Sequence, residues 1–376
     1  MARAAFRAGS KVRPDHRMVQ PVGMMMELGQ RPAFGAGVAE GDGMVAITAR
    51  LEHERTVGAH HEPAQHGADA AERSMLSDHI DSVSSMRFCI PFPFFPASHL
   101  LPMAIAAEEA GFDSVAKSDA VFFPEHISAK YHGSPDGNRY WPPDTPSVDP
   151  FVALAAIGAV TTSIGLTTNV VKLPIRDPLL VAKQLASLAV MSGERVSLGV
   201  GLSWVPEEFT FTRTDWATRA ARFEEMIEIL RLACGGGGPR WIEHHGRHYQ
   251  FERLMISPSP QLPVPIIIGG HSDAAIRRAA RIADGWVGGR LTVEELVAAA
   301  ASLTRYRLEF GTDMRPFEIA GQIVQKPDAA VIATLEEAGL TELQVLPWLH
   351  YGGEPDDLDT RVDSLYRFAD EFITNH

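Results

Sequence analysis

Between Arg87 and Thr374 short apolar runs alternate with amphipathic segments, eight of each, and no other feature constrains the fold as much. Strand signals fall at Arg87–Phe92, Ser114–Ser118, Ile164–Val170, Arg195–Gly201, Pro265–Gly269, Gly285–Gly288, Glu318–Val324 and Glu342–Pro347. Helix signals fall at His99–Ala110, Pro150–Thr161, Pro178–Met191, Trp216–Cys234, Ser272–Ala283, Val293–Phe310, Asp328–Glu337 and Leu358–Thr374. Strict alternation over about 290 residues has the pattern and size of an α/β protein folded as a (β/α)8 TIM barrel. A doubly wound open sheet is the competing fold.

One unit, Ile164 to Trp204, shows the logic at close range. Its first strand has a β-branched core and is closed off by Pro174 and Pro178, which start a helix. That helix places Leu180, Val181, Leu185, Leu188 and Ala189 at helical spacing and stops at Ser192-Gly193. The second strand is nearly all apolar and ends in glycines. Two strands joined by such a helix pair in parallel, with a right-handed crossover. Small residues at both strand ends let the backbone approach a flat ligand.

Composition narrows the setting. A formal charge of -13 argues against nucleic acid or an anionic membrane as the main partner. Cys89 and Cys234 are the only cysteines, too few for a disulfide framework, which suggests a reducing, cytoplasmic environment. No apolar run is long enough to span a bilayer, and the N-terminus lacks the apolar stretch of a secretory signal. Residues 1–85 are rich in Gly, Ala, His and charge without sustained periodicity, so a disordered N-terminal extension is expected, with Met86 as an alternative start. Residues 86–376 form the barrel domain. Two connections are long: Ala120–Asp149, a candidate substrate lid, and Gly235–Pro263, which contains a hairpin turning at His245-Gly246.

Three segments in order, GFDSVAKSD, LPIRDPLLVAKQLASLAVMSGERVSLGVGLSW and IIIGGHSDAAIRRAARIADGW, closely resemble the luciferase-like superfamily of flavin- and deazaflavin-dependent oxidoreductases. The resemblance covers about Met86 to His376. It implies a barrel that binds FMN or coenzyme F-420 at the C-terminal ends of its strands, often as a homodimer. The loop from Val121 to Pro150 is similar to the F-420 branch. The expected function is therefore hydride transfer between coenzyme F-420 and a small organic substrate. An FMN-dependent monooxygenase is the alternative within the superfamily, and a non-catalytic flavin or deazaflavin carrier is the alternative outside it.

The resemblance also nominates residues. Asp119 stands where family members hold an Asp near the cofactor ring, with a carboxylate capping the following loop as the lesser alternative. Ala120 replaces the family histidine; His126, six residues on, is the catalytic candidate, since an imidazole titrates near neutrality, with a solvent-facing loop histidine as the other reading. Thr168, Asn169, Val170 and Val171 form the strand end behind the ring, where the resemblance implies a cis bond at Thr168–Asn169. Gly201 and Ser203 leave room for the ring. Gly269, Gly270, His271 and Ser272 open a helix whose free amides favour the cofactor phosphate.

The substrate pocket is assigned to Trp204, Trp141 and Arg176, with Arg139 as a further anion contact. Arg277, Arg278 and Arg281 are read as a solvated face, with contact to an acidic cofactor tail as the other possibility. The imidazoles of His244, His245 and His248 are assigned to the hairpin and not to a metal, because no Cys completes a ligand set. The glycines at 235–238 are read as a flexible linker.

Overall fold

The computed structural model describes residues 86–374 apart from 132, 133, 135 and 140, so the expectations for residues 1–85 lie outside the described residues. The strands are β1 (Arg87–Phe92), β2 (Ser114–Lys117), β3 (Gly165–Thr168), β4 (Val171–Lys172), β5 (Val196–Gly201), β6 (Trp241–His245), β7 (Gln250–Met255), β8 (Ile266–Gly269), β9 (Gly285–Leu291), β10 (Glu318–Ile323) and β11 (Glu342–Gln344). The helices are α1 (Ala97–Glu109), α2 (Pro150–Gly158), α3 (Pro178–Met191), α4 (Pro206–Phe211), α5 (Arg219–Cys234), α6 (Asp273–Ile282), α7 (Val293–Phe310), α8 (Ala329–Glu337) and α9 (Leu358–Phe372).

One parallel sheet runs β3-β2-β1-β11-β10-β9-β8-β5-β4, and β3 also pairs with β5, which closes the ring. Because β3 and β4 share one position, this is an eight-position closed (β/α)8 barrel. The expected fold is confirmed and the open sheet excluded. β6 and β7 form the expected antiparallel hairpin outside the ring.

Local chemistry sets the element ends. Asp149 and Asp177 cap α2 and α3 by accepting two amides each, and each is followed by a proline at the first helical position. Thr292 and Glu295 form a capping box on α7, which ends at Gly311 in the left-handed region. Strands such as β8, Ile266-Ile267-Ile268, are apolar on both faces because the barrel interior buries one and the helices the other.

Two sequence expectations need correction. The glycines at 235–238 are not a flexible linker. Gly237 and Gly238 donate to the carbonyls of Gln261 and Pro260 at 2.8 and 2.9 Å, and Gly235 bridges Pro263, so the run is folded back on the return strand. Positive φ at Gly236, Gly237 and Gly238 explains why glycine is needed there. The segment before α5 holds a separate helix, α4, whose six residues are too few to show a period.

At the N-terminal end of the barrel Glu342 is buried, accepts a hydrogen bond from Ser114 Oγ at 3.0 Å, and lies beside the Arg87–Glu318 ion pair. Burial, reinforced by the charge of Glu318, pushes its carboxyl up to about 7. Between the ordinary carboxylate value and about 7 the folded protein keeps a proton that the unfolded chain has released, so stability declines as pH rises through that window. Glu342→Gln keeps an acceptor for Ser114 but cannot ionise. Urea unfolding at pH 5 and pH 8 should show the variant gaining roughly 1–3 kcal/mol over the parent at the higher pH only. An equal difference at both values would assign the effect to packing.

Candidate active site at the C-terminal mouth of the barrel

The mouth is built around the break between β3 and β4. The Asn169 amide donates to Lys117 O at 2.8 Å, so the ladder with β2 persists through Asn169. The following bond, Asn169–Val170, is cis, and the chain rejoins the sheet with Val171 opposite Val200. The cis bond expected at Thr168–Asn169 therefore lies one residue later, because the β2 ladder holds Asn169 in strand geometry.

Each side chain around this break has a defined place. Thr168 is buried and donates from Oγ1 to Gly199 O at 2.7 Å. Asn169 Nδ2 donates to Gln344 Oε1 at 2.8 Å, joining the third and last barrel positions. Val170 packs against Ile267, Val287 and Ala320. A Cβ on Gly201 would sit 2.9 Å from Val170 Cγ2, one on Gly269 would sit 2.9 Å from Val170 Cγ1, and one on Gly199 only 1.9 Å from Thr168 O. The expectation that the β5 glycines open space for a ring is revised accordingly, since these small residues accommodate Val170 and the Thr168 carbonyl.

Two ion pairs stiffen the same edge. Asp119, 1% exposed, takes both guanidinium nitrogens of Arg176 at 2.8 and 3.0 Å and the Lys172 amide at 2.9 Å. Asp119 and Arg176, nominated for cofactor and substrate respectively, are thus partners of each other. Lys172 Nζ pairs with the buried Glu208, which also accepts from Ser203 Oγ at 2.6 Å. Ser203 adopts a φ of 63° and is held by this carboxylate. Lys117 is buried against the carbonyls of Pro93 and Ser118, and burial pulls its ammonium down to about 8, opposed by Asp119.

Lys117, Glu208 and Gln344 escaped the sequence reading. Only Lys117 had a local signal, its position two residues before Asp119.

The 120–149 connection lies over α4. Ser128 N donates to Glu207 Oε1 at 2.8 Å, and the Phe122 and Phe211 rings meet at 5.7 Å. Arg139 stacks 3.3 Å above the Phe123 ring and donates to Pro124 O at 2.7 Å, so its guanidinium serves the loop itself. His126 is exposed. Trp141 and Trp204 are brought together through Tyr131, whose ring centroid lies 5.0 Å from the first and 5.2 Å from the second. Phe94, just past β1, meets Trp141 at 4.9 Å.

At the end of β8, Gly270 has a φ of 137° and its carbonyl accepts from Trp286 Nε1 at 2.8 Å. His271 Nε2 accepts from Gly289 N at 3.1 Å, tying this turn to the end of β9. Ser272 caps α6 by accepting the Ala275 amide. The turn thus presents a helix N-terminus at the surface, with His271, Ser272 and Asp273 exposed, and Gly289 beside it has open space where a Cβ would stand. Amide donors beside open space suit a phosphate. Arg277 pairs with Glu309, and Arg278 and Arg281 both pair with Glu224, so these arginines join α6 to α5 and α7. In the hairpin, His244 pairs with Glu225 on α5 at 3.2 Å.

A family model described as luciferase-like monooxygenase matches residues 74–331. An uncharacterised protein of Mycobacterium tuberculosis is 39% identical over 290 residues, covering 77% of this chain and 99% of the relative. An F-420-dependent glucose-6-phosphate dehydrogenase of Nakamurella multipartita is 34% identical over 194 residues, 51% of this chain and 52% of the relative. Among solved structures, an F-420-dependent secondary alcohol dehydrogenase in complex with an F-420-acetone adduct superposes with a TM-score of 0.59 at 16% identity, covering 76% of this chain and 98% of that one. A monooxygenase from Streptomyces bottropensis gives 0.58 at 19%, covering 77% and 99%. At these identities the two structural likenesses speak for the fold.

Proposed function

Because the chain belongs to the luciferase-like monooxygenase family, and is therefore an oxidoreductase or monooxygenase, we propose that it uses coenzyme F-420 to transfer hydride to or from a small organic substrate. The observation that carries the reading is the turn from Gly269 to Ser272, which leads through exposed residues into the start of α6 and lies beside Gly289, where a Cβ would meet nothing within 4 Å. When bound, the cofactor supplies the hydride chemistry, and the protein positions and shields it. Gly270, His271 and Ser272 would hold the phosphate, while Asn169 and Val170 would back the ring. The Asp119–Arg176 pair fixes β4 and so sets the position of that backing.

Titrating the full chain with F-420 and with FMN, read by cofactor fluorescence, tests the proposal. Selective F-420 binding is expected. Preference for FMN would move the reading to a flavin-dependent monooxygenase, and binding of neither would remove the cofactor site. With Ala120 in place of the family histidine, His126 is the proposed proton-handling group. His126→Ala should leave the cofactor Kd within about twofold and lower kcat by about 10²-fold or more. Unchanged turnover would eliminate it and strengthen the carrier alternative.

The proposal includes a cytoplasmic homodimer. The two cysteines are free and buried, and no helix among the described residues is long and apolar enough to cross a membrane. Val152 on α2 and Leu180 on α3 are exposed apolar side chains that a second copy would cover, and sedimentation velocity would read the assembly.

A further inference from the structure

Phe94, Trp141, Tyr131 and Trp204 form a continuous run of rings across the mouth, with successive centroids 4.9, 5.0 and 5.2 Å apart. Phe94 follows β1, Trp204 follows β5, and the two middle rings belong to the 120–149 connection after β2. All three strands are parallel members of the same closed ring, so these segments leave the barrel at one end. The run therefore spans from the first barrel position to the fourth.

Four cations on this edge are already engaged. Arg176 is held in a two-pronged pair by Asp119, Lys172 by Glu208, Arg139 by the Phe123 face and the Pro124 carbonyl, and Lys117 is enclosed at 1% exposure. A phosphate that drew Arg176 from Asp119, or Lys172 from Glu208, would leave a buried carboxylate short of its partner, a costly exchange. An uncharged ring pays no such cost and gains stacking contact.

We propose that the substrate is a neutral, ring-bearing organic molecule seated against the Phe94–Trp141–Tyr131–Trp204 run, and not a phosphorylated sugar. The proposal rests on reading the barrel mouth as the active site. Trp141 is its central specificity residue, because it touches both Phe94 and Tyr131.

Isothermal titration of the full chain, with and without loaded cofactor, would use acetophenone and 2-naphthol as neutral probes and glucose 6-phosphate as the charged comparison. The neutral rings should bind at least about tenfold more tightly than the sugar phosphate. Trp141→Ala should weaken them about fivefold to tenfold, the worth of one stacked pair, with the cofactor Kd unchanged. Trp141→Phe, which keeps a ring, should recover most of the loss, and thermal melts of both variants separate lost stacking from lost folding. Tighter binding of glucose 6-phosphate, or ring binding indifferent to Trp141→Ala in a folded variant, would overturn the proposal. Ring binding without uptake of any cofactor would sustain it and defeat the F-420 reading. Cofactor uptake with preferred sugar phosphate would do the reverse.

Discussion

Asp119→Ala is expected to destabilise the protein by roughly 3–5 kcal/mol, the usual cost of breaking a buried pair from one side. The carboxylate is 1% exposed and satisfies three donors, two on Arg176 and the Lys172 amide. Its removal leaves a guanidinium only 16% exposed with Asp149 at 3.8 Å and the Lys172 carbonyl at 3.2 Å as its remaining partners, and releases β4 from the end of β2. Part of the cost is the charge left with weaker partners, so Asp119→Ala with Arg176→Met should recover that part. Urea unfolding of the single and double variants measures this. A single-variant cost below about 1 kcal/mol would show that the pair behaves as a solvated surface bridge. Asp119→Asn then separates the two readings of this residue, since a cofactor Kd that shifts in a variant of near-parental stability would place the carboxylate beside the ring as well.

The pair also shows where the sequence stops being informative. Asp119 and Arg176 were each singled out, but they are 57 positions apart and only the pairing of the strands they follow brings them together. The same is true of Lys172 and Glu208, and of Asn169 and Gln344. Trp141 and Trp204 were both nominated for the pocket, while the Tyr131 ring that joins them had no periodic signal in an irregular loop.

Local chemistry, by contrast, was readable. The bounds of α7 follow from the Thr292–Glu295 box and Gly311, and those of α3 from Asp177-Pro178. The eight-fold alternation gave the barrel because a parallel strand buried on both faces must be apolar throughout. Failures arose where the structure departs from repeat geometry: at the β3–β4 break, in the six-residue α4, and in the glycine run at 235–238, where a tight fold and a loose linker share one composition.

Gly199→Ala should be the most damaging methyl that can be added at the mouth, at or above the roughly 1–3 kcal/mol usual for overpacking. The new Cβ would fall 1.9 Å from Thr168 O, a backbone atom fixed in the sheet and accompanied by the Thr168 Oγ1 bond to Gly199 O. No rotamer change can relieve that contact. Gly201→Ala meets Val170 Cγ2 at 2.9 Å, a side chain with some freedom, and should cost less. Gly289→Ala meets nothing within 4 Å and should stay within about 1 kcal/mol of the parent. Thermal melts and soluble yield should rank the three in that order. The decisive comparison adds Val170→Ala to each of the first two. Removing the valine methyls should rescue Gly201→Ala, whose obstacle is the side chain, and leave Gly199→Ala as damaged as before. Rescue of both would mean that Val170, and not the Thr168 carbonyl, sets the space at Gly199.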